Sequence, residues 1–182
     1  MTESNAALGD DRHRVTEIYP AAQIAGRVAE LGRQITAHYD AGPLVILGVM
    51  TGGVLFFADL VRKIARPLEL GVLHARSYTG TQSGELQLNL DDLPELRDKH
   101  VLLVDDIFDT GQTLRKVLQE LAARSPATVR SVVLLRKAVV RRPGLEPDWV
   151  AFEIADQFVV GYGLDFDGKY RNAPGVCVLS ED

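Results

Sequence analysis

Only one cysteine occurs among the 182 residues, Cys177 in the apolar run Val176-Cys177-Val178-Leu179. An internal disulfide is therefore impossible, and the thiol is expected to pack as a small hydrophobe. Positive charge is also scarce: 20 Lys and Arg stand against 25 Asp and Glu, a formal charge of −5. That balance offers no general field for nucleic acid or an anionic membrane, so an anionic ligand has to be held by a local site. No hydrophobic stretch is long and uncharged enough to span a bilayer, and the first residues lack the apolar core of a secretory signal. A cytoplasmic location with no nucleic-acid or membrane partner is expected. The pattern G-x-x-x-x-G-K-[ST] is missing as well, which argues against a P-loop nucleotide hydrolase.

What is present is a chain of single-domain size with a soluble protein's balance of apolar and charged residues. Residues 1–14 are polar and aperiodic and read as a loosely ordered lead-in, leaving 15–182 as one domain. Ile24, Val28, Leu31 and Ile35 share one face of a helix that begins after Pro20 and stops before Asp40-Ala41-Gly42-Pro43. Leu44 to Met50 and Val101 to Val104 are apolar runs suited to strands buried on both faces, and Val129 to Leu135 is another. Strand–helix alternation through this region implies a parallel sheet with right-handed crossovers, whose ligands bind beyond the carboxyl ends of the strands.

The most informative stretch is Val101 to Leu114. An apolar run breaks into Asp105 and Asp106, then Ile107-Phe108, then Asp109-Thr110-Gly111-Gln112-Thr113 ahead of a helical repeat at Leu114, Val117, Leu118 and Leu121. Backbone N–H groups, two hydroxyls and a permissive glycine at a helix N-terminus favour a phosphate. Three carboxylates would repel a bare one. A ligand that also brings sugar hydroxyls and a hard divalent cation, a magnesium-bound sugar phosphate, fits both halves. A second strand–glycine–helix junction, Thr51-Gly52-Gly53, is either another phosphate loop or a tight turn. Arg76 to Glu85 is small, polar and glycine-bearing, as suits either a lid or a surface excursion. Arg136 to Pro143 is basic, and Trp149 and Phe158 read by default as core aromatics.

The Val101–Thr113 segment resembles the phosphoribosyl diphosphate signature of type I phosphoribosyltransferases, and the later run Phe158-Val159-Val160-Gly161-Tyr162-Gly163-Leu164-Asp165 resembles the base-binding segment of the hypoxanthine-guanine members. Together with Gly52-Gly53 these landmarks cover the chain from about Arg14 to Ser180. The resemblance implies an α/β parallel-sheet core with helices on both faces and a small C-terminal hood formed mainly by about 149 to 182, with or without help from the N-terminus. It implies transfer of phosphoribosyl from phosphoribosyl diphosphate to a 6-oxopurine, in a Mg2+-dependent homodimer or homotetramer. By the same resemblance, Asp105 and Asp106 bind ribose hydroxyls and metal, with Asp165 near a second magnesium. Thr110, Gly111, Gln112 and Thr113 hold the 5′-phosphate, and Asp109 accepts the proton of purine N7. Lys137 donates to the 6-oxo group, Phe158 stacks on the base, and Val159 meets its edge. Ser77 and Tyr78 belong to a closing loop. Thr51, Gly52, Gly53 and Arg171 face pyrophosphate, where the family usually carries Lys or Arg at the position of Thr51. The alternatives are a xanthine- or guanine-preferring relative and, from another class, a phosphoribosyl diphosphate-sensing regulator that binds nucleic acid.

Overall fold

The apolar runs form the middle of a six-stranded sheet. The computed structural model describes residues 13–77, 86–90, 92–139 and 144–181. In chain order the elements are β1 (His13–Tyr19), α1 (Ala21–His38), β2 (Leu44–Met50), α2 (Val54–Val61), β3 (Glu69–Ser77) and β4 (Leu86–Asn89). They continue with β5 (His100–Phe108), α3 (Gln112–Ala122), β6 (Thr128–Lys137), β7 (Trp149–Ile154), β8 (Val159–Val160) and β9 (Val176–Glu181). The large sheet runs β4-β3-β2-β5-β6-β7, with β4 antiparallel at one edge and the other strands parallel.

Helices cover both faces, as expected. On one, Ile24, Val28, Leu31 and Ile35 of α1 and Phe56, Phe57 and Leu60 of α2 pack against Ile46, Leu102, Val104 and Leu134. Each such side chain removed from water contributes about 2 kcal/mol. On the other, Leu114, Val117 and Leu121 of α3 meet Val45, Leu47, Val101 and Leu103. The Gly42-Pro43 break stops α1, and the Arg66 guanidinium donates to the carbonyls of Tyr39 and Gly42, where the helix has run out of its own donors.

Three boundaries differ from the sequence-based expectation. His13 and Arg14 are not lead-in but the start of β1, which pairs antiparallel with β9, and β9 pairs with β8. This three-stranded sheet, with Val160, Tyr170, Cys177 and Leu179 buried together, is the hood. β7 lies outside it: residues 149–154 pair with β6 at the edge of the large sheet, and the N-terminal strand β1 joins β8 and β9 in the hood. Finally, β5 does not stop at Val104 but carries Asp105 and Asp106 within its ladder to Phe108. Backbone pairing to β6 tolerates the carboxylates because their side chains open onto a cavity.

β2 leads through α2 to β3 on one side, whereas β5 lies on the other side of β2 and leads through α3 to β6. The order therefore reverses between β2 and β5, and the loops leaving their carboxyl ends diverge to open a crevice, the usual ligand position in such sheets.

Candidate active site

Three adjoining cavities occupy that crevice. The largest, 350 Å³, lies between the two loops and is lined by Met50, Thr51 and Gly52 after β2, by Asp105, Asp106 and Ile107 of β5, and by Thr110, Gln112, Thr113, Asp165 and Arg171. A second, 240 Å³, shares Asp106, Ile107 and Asp165 with it and adds Asp109, Lys137, Gln157, Phe158, Val159 and Leu164. The third, 140 Å³, is the cradle formed by Asp109 to Leu114 at the start of α3. Its glycine, Gly111, has φ of 78° and caps α3 without a side-chain hydrogen bond to the helix, so the first-turn amides are presented to the cradle.

The first loop is built tightly. The peptide Met50–Thr51 is cis, and a Cβ at Gly52 would fall 1.6 Å from Asp106 Oδ2. A side chain at position 52 would displace the Asp106 carboxylate from the place it holds here. Gly53 does not line the cavity; it is buried at the N-cap of α2. Thr51 brings no charge to the cavity, but Arg171 does, with Nη1 donating to Gly163 O at 2.6 Å and Nη2 2.7 Å from Asp165 Oδ1.

Asp105 Oδ1 accepts the N–H of Asp106 at 2.9 Å, and Asp106 Oδ1 accepts that of Ile107 at 2.7 Å. Burial pushes both carboxyls above the ordinary range. The neighbouring Asp106 raises Asp105 further, whereas hydrogen bonds and the Arg171 charge partly offset the rise at Asp106. Two adjacent carboxyls in such surroundings suit a divalent cation, which would favour their ionised forms. Among the described residues, however, no three His, Cys, Asp or Glu side chains gather into a group able to hold a metal. Asp165, which the resemblance puts near a second magnesium, lines the same cavity as Asp105 and Asp106. Its Oδ1 pairs with Arg171 and its Oδ2 accepts the Gly168 N–H at 2.8 Å. The Asp105–Asp106 pair fits magnesium, which ordinarily takes one or two carboxylates and completes its shell with water and substrate phosphate oxygens.

In the second cavity Lys137 is the last residue of β6 rather than lying beyond it. Its Nζ lies 3.2 Å from Asp156 Oδ1 and 3.6 Å from Asp109 Oδ2. Phe158 is half exposed rather than core, and Val159 beside it is buried. Tyr78 falls outside the described residues, and Ser77 ends β3. The sequence reading missed Asp156 and Gln157, which carry no periodic signal, and Ile107, whose place between two aspartates of the motif was the available clue. It also missed the Tyr162 hydroxyl, which donates to Asp59 Oδ2 of α2 at 2.7 Å. Burial and that carboxylate raise the phenol well above its ordinary range.

This arrangement has many counterparts. The family model described as "Phosphoribosyl transferase domain" matches residues 14–167. The hypoxanthine phosphoribosyltransferase of Salmonella typhimurium is 41% identical over 177 residues, covering 94% of this chain and 99% of that protein. The hypoxanthine-guanine-xanthine phosphoribosyltransferase of Tritrichomonas foetus is 35% identical, covering 100% and 98%. A crystal structure of a hypoxanthine phosphoribosyltransferase from Staphylococcus aureus superposes with a TM-score of 0.84 at 34% identity, covering 90% of each chain. Cavities at the sheet's reversal point, a glycine-capped cradle beside paired aspartates and near full-length similarity agree: the chain belongs to the phosphoribosyl transferase domain family.

Proposed function

We propose that this protein is a purine-salvage phosphoribosyltransferase, transferring the 5-phosphoribosyl group of phosphoribosyl diphosphate to hypoxanthine or guanine and releasing pyrophosphate and IMP or GMP. The observation that carries this reading is the meeting of the three cavities around Asp106, Ile107 and Asp109, with Lys137 at the wall of the second. One cavity suits a base, one a 5′-phosphate, and the space between them a ribose and its diphosphate.

In the reaction the bond from the ribose anomeric carbon to pyrophosphate breaks as a bond to a ring nitrogen of the purine forms, through a transition state resembling an oxocarbenium ion. The Thr110–Thr113 cradle holds the 5′-phosphate through first-turn amides and hydroxyls. Asp105 and Asp106 accept hydrogen bonds from the ribose hydroxyls and would hold Mg2+. Bound magnesium would supply positive charge to the departing pyrophosphate. Gly52, Thr51 and Arg171 face the same group; the neutral Thr51 leaves the protein's share of charge to the Arg171 guanidinium and to amides. Asp109 takes the proton from purine N7 and offers negative charge near the cationic transition state. Lys137 donates to the 6-oxo group and disfavours a 6-amino base, Phe158 stacks on the ring, and Val159 meets its edge.

The direct test is incubation with magnesium and phosphoribosyl diphosphate and, separately, hypoxanthine, guanine, xanthine or adenine, with the nucleotide formed measured by chromatography. IMP and GMP are expected, with adenine inert. Nucleotide from adenine but not from hypoxanthine or guanine would overturn the assignment of Lys137. Faster turnover of xanthine than of either would move the protein to the alternative base preference.

A further inference from the structure

One wall of the second cavity depends on a ring that its own backbone barely restrains. Phe158 lies in the connection between β7 and β8, and half of it is exposed. Its carbonyl accepts the Leu179 N–H at 3.0 Å, which fixes the main chain and not the ring. The ring's neighbour is Phe166, whose plane stands at 84° to it with centroids 5.6 Å apart. Phe166 in turn packs against the ring of His13, the first residue of β1, at 5.1 Å and 59°.

We propose that Phe166 is a positioning residue for the purine, a buttress that holds Phe158 in the orientation able to stack on the base. This rests on the purine reading above. Phe166 does not line the base cavity, so its influence passes through Phe158. An edge-to-face pair favours one relative orientation of the two rings, and a half-exposed phenylalanine without such a partner would spread over several rotamers, each lost on stacking.

The main chain of Phe166 is held at both its N–H and its carbonyl, while its partly exposed ring rests between those of His13 and Phe158. The Phe166 N–H donates to Lys169 O at 3.2 Å and its carbonyl accepts the Lys169 N–H at 3.0 Å, closing a two-residue turn. Asp167 and Gly168, the turn's central residues, have φ of 50° and 76°, the positive pair that mirror-image hairpin turns require and that Asp-Gly adopts readily. Because Gly168 N–H also donates to Asp165, one turn holds both the buttress of the base platform and the carboxylate that pairs with Arg171. β1 thereby acquires a role: through His13 it backs the aromatic chain that ends at the base.

The test is steady-state kinetics on Phe166→Leu, Phe166→Tyr, Phe158→Leu and the double variant Phe158→Leu/Phe166→Leu. Phe166→Leu is expected to raise KM for hypoxanthine about three- to tenfold, leaving kcat and KM for phosphoribosyl diphosphate within twofold. Phe166→Tyr should restore the parent value. With Leu at 158, changing Phe166 should add nothing. An unchanged hypoxanthine KM, a parallel rise in both KM values, or a full effect persisting in the Phe158→Leu background would overturn the proposal. Should Phe166→Leu fail to fold, Phe166→Met is read by the same criteria. A parent protein that makes no nucleotide from hypoxanthine or guanine sinks the purine reading and this inference together; normal turnover with an indifferent Phe166 sinks this inference alone.

Discussion

The contact between Gly163 and the loop after β2 joins the two halves of the site, and Gly163→Ala measures it. A Cβ at Gly163 would lie 2.1 Å from Gly52 O and 3.3 Å from Gly52 C. Both are backbone atoms, so no rotamer change relieves the clash; either the loop or the hood segment has to move. Gly163 also has φ of 101°, and a side chain there costs about 1–2 kcal/mol on its own. The backbone share can be isolated, because Gly144 has φ of 102° with nothing within 4 Å of the equivalent Cβ. Gly144→Ala should therefore show the conformational cost alone. Gly163→Ala should add overpacking of roughly 1–3 kcal/mol, for a total of roughly 2–5 kcal/mol. For a domain of this size each kcal/mol lowers Tm by about 2–4 °C. Urea unfolding of the parent and both variants, with slopes compared to confirm like-for-like transitions, reads the difference directly. Because Gly52 packs on Asp106, the displaced loop should also lower turnover in Gly163→Ala and not in Gly144→Ala. Equal stability losses in the two variants would show that the loop yields without cost, and the contact would then couple nothing.

Three further outcomes are expected. Asp109→Asn should lower kcat by about 10² to 10⁴ with the melting curve unchanged; undiminished turnover removes Asp109 as the base. Lys137→Met should weaken 6-oxopurine use by about 2–5 kcal/mol, if the purine pairs with a desolvated ammonium. It should leave phosphoribosyl diphosphate KM near the parent value, so equal losses for both substrates would count against the assignment. Asp105 and Asp106 have raised carboxyl pKa values in the folded state, so between the ordinary carboxylate range and those raised values the native state holds more protons than the unfolded chain. Their contribution to stability is full at acid pH and is lost as pH rises through the folded pKa. Asp105→Asn, which keeps an oxygen for the Asp106 N–H, should thus be more stable than the parent at pH 8 and lose that advantage toward pH 4, while turnover falls. A pH-independent difference in urea midpoints would refute this.

The glycines and carboxylates at the two strand ends were legible because local chemistry marks them. A buried apolar run followed by acids and a small polar turn has few uses besides holding a charged ligand where a strand meets a helix. The helical stripe of α1 and the parallel core were legible for the same reason: their periodicities report burial directly. β1 was not, because a short strand that finds its partner Val176–Glu181 at the far end of the chain has no local signature. The same blindness assigned β7 to the hood and read Phe158 by default as a core aromatic, since apolar character alone does not say which sheet a strand joins or which face stays open.

What the sequence determined by itself was the kind of chemistry, through residue types whose spacing sets donors, acceptors and charges at one strand–helix junction. Which groups share a cavity was decided only in three dimensions. Asp165 turned toward Arg171 and the Gly168 amide, Asp156 came within 3.2 Å of Lys137, and Gly163 closed onto Gly52. The Asp165 contacts close within its own turn and the residues just after it, but Lys137 meets Asp156 only because β6 and β7 lie side by side, and Gly163 meets Gly52 only because the hood segment folds back over the loop after β2; neither of these partners is a neighbour in sequence.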